Sequence, residues 1–158
     1  MKAGFEKLKK KCLEKELMAI REEKEGRIVI DSGAADSVMP KDLLEDHFPL
    51  LPKQEGVRFL AANGQPIEAY GRMQVAFKTK GRKGINCMQF HVTNCKQPLA
   101  SVGEMVDQGN SMNFIPEGSY ISGPNGEVIP LAKERGVYVM DVRYLKDEQF
   151  WKGFNGQA

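Results

Sequence analysis

The pattern of apolar and polar positions divides the chain into a helical beginning and a longer remainder rich in β-strands. From Phe5 to Lys24, apolar residues recur at spacings of three and four, the pattern of one helical face, and Gly26 supplies a stop signal. After Gly26, short apolar runs and two-residue alternation are separated by Gly, Pro and Asn, which is typical of strands and turns. The sequence therefore predicts an N-terminal amphipathic helix followed by a mostly β fold.

Two hairpins are predicted in the middle of the chain. Strands at 57–62 and 65–70 flank Asn63-Gly64, the residue pair that most favours a two-residue hairpin turn. The second hairpin is predicted from alternating apolar residues on both sides of a turn at 80–84: Met73, Val75 and Phe77 before it, and Met88, Phe90 and Val92 after it.

Shorter elements are predicted on either side of these hairpins. A buried strand is expected from Arg27 to Ile30, and Pro40 suits the start of one or two helical turns reaching His47. An apolar strand at 99–103 is expected to precede a brief helix at 104–108. The last third contains four strand candidates separated by turns, at 111–114, 120–121, 127–131 and 137–145.

Length and composition indicate one globular domain with short appendages. The 158 residues fit a single domain, and the 41% apolar and 28% charged residues exclude a disordered chain. The predicted division is an N-terminal helix and linker at 1–26, one domain at 27–145 and a C-terminal tail at 146–158.

Charge and cysteine content narrow the expected partners and location. The net charge of +2 is small, and it is concentrated in residues 1–27, so nucleic acid is not expected to bind the main domain. No run approaches the roughly 18 apolar residues of a membrane helix, and a signal peptide is not recognised, so we expect an intracellular, cytoplasmic protein without membrane contact. The cysteines form neither an even set nor a CxxC pair and are expected to be free thiols: Cys12, Cys87 and Cys95.

The candidate chemistry lies in the turn after the first predicted strand. Hydrolysis of an amide needs an activated water and a polarised carbonyl, and two carboxylates about 3 Å apart that share one proton can supply both. Asp31-Ser32-Gly33 directly follows the apolar run 28–30, as a carboxylate in a tight loop requires. Asp-Ser-Gly is also a common turn sequence, so the surrounding residues must distinguish a catalytic loop from an ordinary turn.

That context resembles a known family, the retropepsin-like aspartic proteases of retroviruses and LTR retrotransposons. Residues 29–38, Val-Ile-Asp-Ser-Gly-Ala-Ala-Asp-Ser-Val, resemble the catalytic loop, and residues 59–67, with Gly71 beyond, are similar to the flap. A second resemblance is to the stretch between protease and integrase in Copia-type polyproteins. It is carried by residues 99–102, 107–109, Phe114, Asn125-Gly126 and 136–139, so that the two resemblances together cover residues 27–145.

The resemblance implies a fold and a set of site residues. The fold would be a retropepsin-like closed β-barrel forming one half of an acid-protease site, with a short helix after an apolar strand that ends in Gly. Asp31 would hold and activate the water, and the supporting residues would brace the loops, line the cleft and form the flap tip: Ser32, Gly33, Ala34, Ala35, Asn63, Gly64, Val102 and Gly103.

The sequence also departs from this family. Ser101 makes the strand before Gly103 less apolar than usual, and Ala35 and Glu104 stand where viral members pair an acid with an arginine. Bracing of the loop must therefore come from other residues.

The chain has one Asp-Ser-Gly, so a second carboxylate must come from a second copy. We therefore expect a symmetric homodimer that cleaves an extended polypeptide, with activity peaking on the acid side of neutrality. The resemblance implies processing of a retrotransposon polyprotein, within a virus-like particle if the element is active. Two alternatives stay open: an inactive dimerisation or binding module with the same fold, and a nucleic-acid-associated spacer that uses the basic N-terminal helix.

The expected reaction needs no metal or cofactor. Cys87, His91 and Cys95 recur every four residues and suggest a zinc site at first sight. On the predicted strand each step spans roughly 13 Å, which is too far for shared coordination of one ion.

Overall fold

A computed structural model describes residues 23–56, 58–61 and 63–146. Nearly all of the predicted N-terminal helix and tail lie outside these residues, as do Val57, Ala62 and Cys12. Strands hold 51% of the structure and helices 5%, which confirms the mostly β fold class. Within the described ranges, no helix is long and apolar enough to cross a membrane.

The elements of the described residues are strands joined by turns, with one short helix. In chain order they are β1 (Lys24–Asp31), β2 (Val38–Pro40), β3 (Phe59–Leu60), β4 (Pro66–Ile67), β5 (Ala69–Thr79), β6 (Arg82–Thr93), β7 (Leu99–Ser101), α1 (Val102–Asp107), β8 (Ser111–Asn113), β9 (Tyr120–Ser122), β10 (Val128–Pro130), β11 (Ala132–Glu134) and β12 (Val137–Tyr144).

A seven-stranded sheet with the order β1-β7-β2-β6-β5-β12-β11 organises the molecule. β12 pairs antiparallel with β1 from Lys24 to Ile30, and its end pairs with β5. Strand neighbours therefore form a circuit from β1 through β7, β2, β6, β5 and β12 back to β1, so that both long edges of β1 are paired. Two small sheets lie outside this circuit, β10-β9-β8 and β3-β4.

The second predicted hairpin is confirmed as β5 and β6, which supply much of the core. Its alternating apolar residues are all buried: Met73, Val75, Phe77, Met88, Phe90 and Val92. Each such side chain contributes about 1.5–3 kcal/mol when it leaves water, which fixes the register of the hairpin. The turn is shorter than predicted because Thr79 already pairs with Arg82. The predicted strands of the last third are also found, as β8, β9, β10 and β12.

The prediction that the N-terminal helix extends to Lys24 and stops at Gly26 is wrong. Both residues lie in β1, where Gly26 pairs with Val142 of β12. A Cβ on Gly26 would stand 2.6 Å from the ring of Tyr144, so the glycine lets this ring cover the strand. Gly26 is thus a packing glycine and not a helix stop.

Two further predictions are corrected around Pro40 and Lys133. Pro40 ends β2 and is followed by turns rather than a helix, because β2 gains its hydrogen bonds from β6. The predicted turn at 133–136 is reduced to Arg135-Gly136, since Lys133 and Glu134 pair with β12. The two strands concerned, β2 and β11, are each three residues long, which is too short to give a periodic pattern in the sequence.

Replacing Tyr144 with Phe should stabilise the fold. Tyr144 is fully buried, and its hydroxyl finds no hydrogen-bond partner among the described residues. An unsatisfied buried polar group costs about 1–3 kcal/mol, so removing the hydroxyl should raise the free energy of unfolding by roughly 1 kcal/mol. Denaturant unfolding of the two proteins measures the difference, and a clear loss of stability in the phenylalanine variant would contradict the prediction.

The same substitution should change the response to alkali. Burial raises the pKa of Tyr144 above its ordinary value, so the folded state keeps the phenol neutral. The unfolded tyrosine ionises near pH ~10, so wild-type stability should fall above that pH by up to about 1.4 kcal/mol per pH unit from this group. The phenylalanine variant should lack this part of the decline.

Candidate active site

Asp31 is the last residue of β1, at the point where the chain leaves the sheet. β1 runs parallel to β7, with Asp31 opposite Ser101. On the other side of β7, β2 runs antiparallel with Val38 opposite Leu99. The loop of residues 32–37 joins two strands that flank β7, so it must cross the end of β7 where α1 begins.

The Asp31 side chain is half-buried and has one oxygen available. Its Oδ1 accepts a hydrogen bond from the Gly33 backbone N–H at 2.8 Å. Within the described part of the chain, Oδ2 makes no hydrogen bond or ion pair. This hydrogen bond holds the carboxylate against its own turn, while the second oxygen can bind a water or another group.

The predicted neighbours of Asp31 share its loop, but they differ in exposure. Ser32, Gly33 and Ala35 are exposed, whereas Ala34 is half-buried. The Ser32 hydroxyl makes no hydrogen bond within the described residues, so its predicted bracing role can involve only groups outside them or a second copy.

Three buried or half-buried side chains brace the loop from below. Ser37 donates from its hydroxyl to Glu104 Oε2 at 3.0 Å and from its backbone N–H to Oε1 at 3.3 Å. The Ser101 backbone N–H donates to Ser37 Oγ at 2.9 Å. The Ser101 hydroxyl accepts from the Glu104 N–H at 3.2 Å and donates to the Ala35 carbonyl at 3.4 Å. We call this set Ser37, Ser101 and Glu104 the serine–glutamate brace.

The serine–glutamate brace supports the loop in the absence of an acid–arginine pair. It ties both the middle and the end of the loop to the start of α1, and both serines are fully buried. Sequence reasoning missed these roles, although Ser101-Val-Gly-Glu104 has the S-x-x-E pattern of a helix capping box. Here the Glu104 carboxylate contacts Ser37 instead of returning to the Ser101 N–H.

The helix start also corrects the expected positions of Val102 and Gly103. Both were assigned to the apolar strand, yet β7 ends at Ser101, which is the N-cap of α1. The Ser101 side chain ends the strand because it accepts the Glu104 N–H, which commits the next residues to helical geometry. Val102 is half-buried and Gly103 is exposed, one and two residues into the helix.

The hairpin predicted around Asn63-Gly64 is found as β3 and β4, but its turn is longer than expected. Each strand has two residues, and Ala61 N–H donates to the Gln65 carbonyl at 2.9 Å to close the turn. The Asn63 side chain accepts from the Gln65 N–H at 3.0 Å, and Gly64 has φ +81°. Because the Asn63 side chain accepts the Gln65 N–H, this donor is not available to close a two-residue turn.

The base of this hairpin contacts the Asp31 loop through His91. The Phe59 and His91 rings are in tilted contact with their centroids 4.7 Å apart, and His91 Nε2 lies 3.9 Å from Asp36 Oδ1. The His91 backbone N–H donates to the Ser37 carbonyl at 2.9 Å. The tip residues Asn63 and Gly64 are exposed, and no hydrogen bond or ion pair between described residues joins them to residues 31–37.

Of the residues that the structure describes, Cys87, Cys95 and the buried His91 do not form one site. Cys87 and Cys95 are free thiols, with Cys87 exposed, while His91 is buried against Phe59. Among residues 23–56, 58–61 and 63–146, no three His, Cys, Asp or Glu side chains are close enough to hold a metal ion.

Compared with models of known protein families and with curated proteins, the chain has no match in either. Function is therefore inferred from the site itself.

Proposed function

We propose that this protein is an aspartic endopeptidase with a retropepsin-like barrel, active as a homodimer. The observation that carries the proposal is the loop of residues 31–37, which crosses the end of β7 with Asp31 at its start. The serine–glutamate brace holds this loop from below, and the circuit of strands around β1 supports it from the side. The brace and the strand circuit together hold one carboxylate in a fixed position. A site in which two carboxylates share a proton requires such support in each of the two copies.

The second carboxylate of the site comes from the partner copy. Within the described residues, two other carboxylates of this region have neighbours of their own: Glu104 accepts from Ser37, and Asp36 Oδ1 lies 3.9 Å from His91 Nε2. Asp31 Oδ2 is the oxygen left free. Two Asp31 side chains on a two-fold axis would complete the site, with one proton shared between them.

The reaction then follows from the two protonation states. The ionised Asp31 takes a proton from the bound water as the water oxygen bonds to the peptide carbonyl carbon. The protonated Asp31 gives its proton to the carbonyl oxygen, which yields a tetrahedral diol. The carboxyl proton then passes to the leaving nitrogen as the C–N bond breaks. A hydroxyl of the diol gives its proton to the other Asp31 carboxylate as the carbonyl re-forms, so the product is a carboxylic acid and one shared proton remains at the site.

The proposed substrate is an extended segment of polypeptide, and the resemblance implies a retrotransposon polyprotein as its source. The β3–β4 hairpin is exposed, with Leu60 62% accessible, and its base rests on the loop through Phe59 and His91. A hairpin held in this way can add backbone hydrogen bonds to an extended chain and exclude water from the site.

The test of the proposal is cleavage as a function of protein concentration. At about pH 5 and pH 7, the protein should cut an extended precursor and a random peptide mixture, faster at the lower pH. Below the dissociation constant of the dimer, the rate should rise with the square of the concentration. Two copies joined by a flexible linker should instead show a linear rise.

Two outcomes would contradict the proposal. An active species that ultracentrifugation shows to be monomeric would exclude the shared site. Absence of cleavage at concentrations where the dimer is present would exclude the enzyme and favour the binding module.

A further inference from the structure

The β3–β4 hairpin depends on contacts at its base for its stability. It forms a sheet of its own with two residues in each strand, and none of its described residues, 59–61 and 63–67, is fully buried. In the part of the chain that the structure describes, no hydrogen bond ties these residues to the seven-stranded sheet. Because an isolated two-stranded hairpin is only marginally stable in water, the order of this hairpin depends on the side chains that anchor it.

His91 is the residue of the large sheet that the hairpin contacts. It lies on β6, only 7% exposed, and its ring is in tilted contact with that of Phe59, with the centroids 4.7 Å apart. The same histidine contacts the Asp31 loop twice. Its backbone N–H donates to the Ser37 carbonyl at 2.9 Å, and its Nε2 lies 3.9 Å from Asp36 Oδ1. One buried side chain therefore links the hairpin to the loop.

The charges around His91 make this link sensitive to protonation. Within the described ranges, Asp36 faces the imidazole from the loop, and Arg72 of β5 is the cross-strand neighbour of His91. The Arg72 guanidinium is held by the Pro52 carbonyl, to which its Nε donates at 2.9 Å. The neighbours on β2 and β3 are apolar, Val38 and Phe59. The contact that protonation strengthens is therefore the one with Asp36.

The direction of the pH effect follows from the chemistry of the two side chains. Imidazole groups change charge between about pH 5 and pH 8, whereas aspartate carboxylates are ordinarily ionised over this range. A protonated His91 ring is attracted to the Asp36 carboxylate, and a cation within about 6 Å of an aromatic centroid is attracted to the aromatic ring as well. Acid should therefore hold the His91 ring more firmly between Asp36 and Phe59.

We propose that His91 is a pH-dependent positioning residue, which in its protonated form fixes the base of the β3–β4 hairpin to the loop that begins at Asp31. The hairpin is then ordered on the acid side of neutrality and loosens as the pH rises and the imidazole loses its proton. The shared proton proposed for the Asp31 pair requires the same acid range. The effect on substrate binding rests on the proposed endopeptidase function, whereas the effect on the hairpin does not.

Amide hydrogen exchange tests the hairpin directly and needs no activity. The reporter is the Ala61 N–H, which donates to the Gln65 carbonyl when the hairpin is formed. After correction for the intrinsic exchange rate, its protection should be about threefold or more higher at about pH 5 than at about pH 8, as expected for a partly exposed ion pair. Asp36→Asn should remove this gain, because the amide keeps the shape of the carboxylate but not its charge.

His91→Phe should remove the gain by another route. The phenylalanine ring can keep the contact with Phe59, but it has no charge to gain, so protection of the Ala61 amide should be the same at both pH values. The Asp36 side chain is 38% exposed, so Asp36→Asn should fold even if the buried substitution at position 91 does not. The matched control is Asp42→Asn, an equal change of charge at an exposed residue beyond β2, which should keep the wild-type gain.

Substrate binding provides the second readout. If the ordered hairpin closes over the peptide, the wild-type KM should be about threefold lower at about pH 5 than at about pH 7. Asp36→Asn should raise KM at the acid pH to the neutral value, with the change in KM and not in kcat. A purely structural defect would instead act equally at both pH values.

The outcomes separate this inference from the proposed function. If protection of the Ala61 amide does not rise in acid, or rises equally in Asp36→Asn and His91→Phe, the inference is wrong whether or not the protein cleaves peptides. If the gain is found and both variants lose it, but the dimeric wild type cleaves nothing, the proposed function is wrong and the role of His91 in the hairpin stands. If the wild type cleaves with the same KM at both pH values, the effect on substrate binding is wrong.

Discussion

Replacing Asp31 with Asn should abolish peptide cleavage while the fold and the dimer persist. The amide keeps the shape of the carboxylate, and its Oδ1 can still accept the Gly33 N–H that now lies at 2.8 Å. It cannot take a proton from water or share one with its partner copy. Acid–base groups of this kind contribute roughly 10²- to 10⁴-fold to the rate, so kcat should fall by at least that range.

Mixing experiments make this prediction specific to a shared site. Each dimer contains two copies of residue 31, so a mixed dimer has only one carboxylate and should be inactive. When the asparagine variant replaces part of the wild type at constant total protein concentration, in dimeric conditions, cleavage should follow the square of the wild-type fraction. A linear decline would show that one Asp31 is sufficient, and it would contradict the proposed mechanism.

The matched control is Asp107→Asn, an equal change of charge at the exposed end of α1. It should leave both the rate and the mixing curve unchanged, because Asp107 takes no part in the brace or the loop. If Asp31→Asn retained the activity of this control, Asp31 would be only a turn residue.

The place of Asp31 at the end of a strand could be predicted from sequence because its signal is local. An apolar strand and a turn tripeptide adjoin one another in the chain, so strand, turn and carboxylate can be read together. The long hairpin of β5 and β6 was predictable for a similar reason, since its two faces differ in polarity at every second residue. The pattern is strong because the hairpin buries one face and leaves the other in solvent.

The rest of the site depends on residues that are distant in sequence. Ser37 and Glu104 are separated by 67 positions, and a serine or glutamate alone gives no sign of its partner. Gly26 was misread because the ring that explains it, Tyr144, arrives from the other end of the domain through the β1–β12 pairing. β2 and β11 are defined by the neighbours they pair with and not by their own three residues.

Replacing Ser37 with Ala should cost the fold about 2–3 kcal/mol in free energy of unfolding. The fully buried Ser37 hydroxyl accepts from the Ser101 N–H and donates to Glu104 Oε2, so its removal leaves a buried N–H and a carboxylate oxygen without this partner. Each unsatisfied group costs about 1–3 kcal/mol, and only part can be recovered by small movements or water. Denaturant unfolding measures the loss, with the exposed Ser111→Ala as the matched control.

A double-mutant cycle with Glu104→Ala decides whether the brace acts as a unit. Either single substitution removes the same hydrogen bond. The loss of unfolding free energy in the double variant should therefore be smaller than the sum of the two single losses, by about 0.5–3 kcal/mol. Cleavage should fall in each single variant even at temperatures where it stays folded, because the loop that starts with Asp31 loses its support at Ser37. If the losses of unfolding free energy were additive, Ser37 and Glu104 would not interact. The position of the loop would then depend on other contacts.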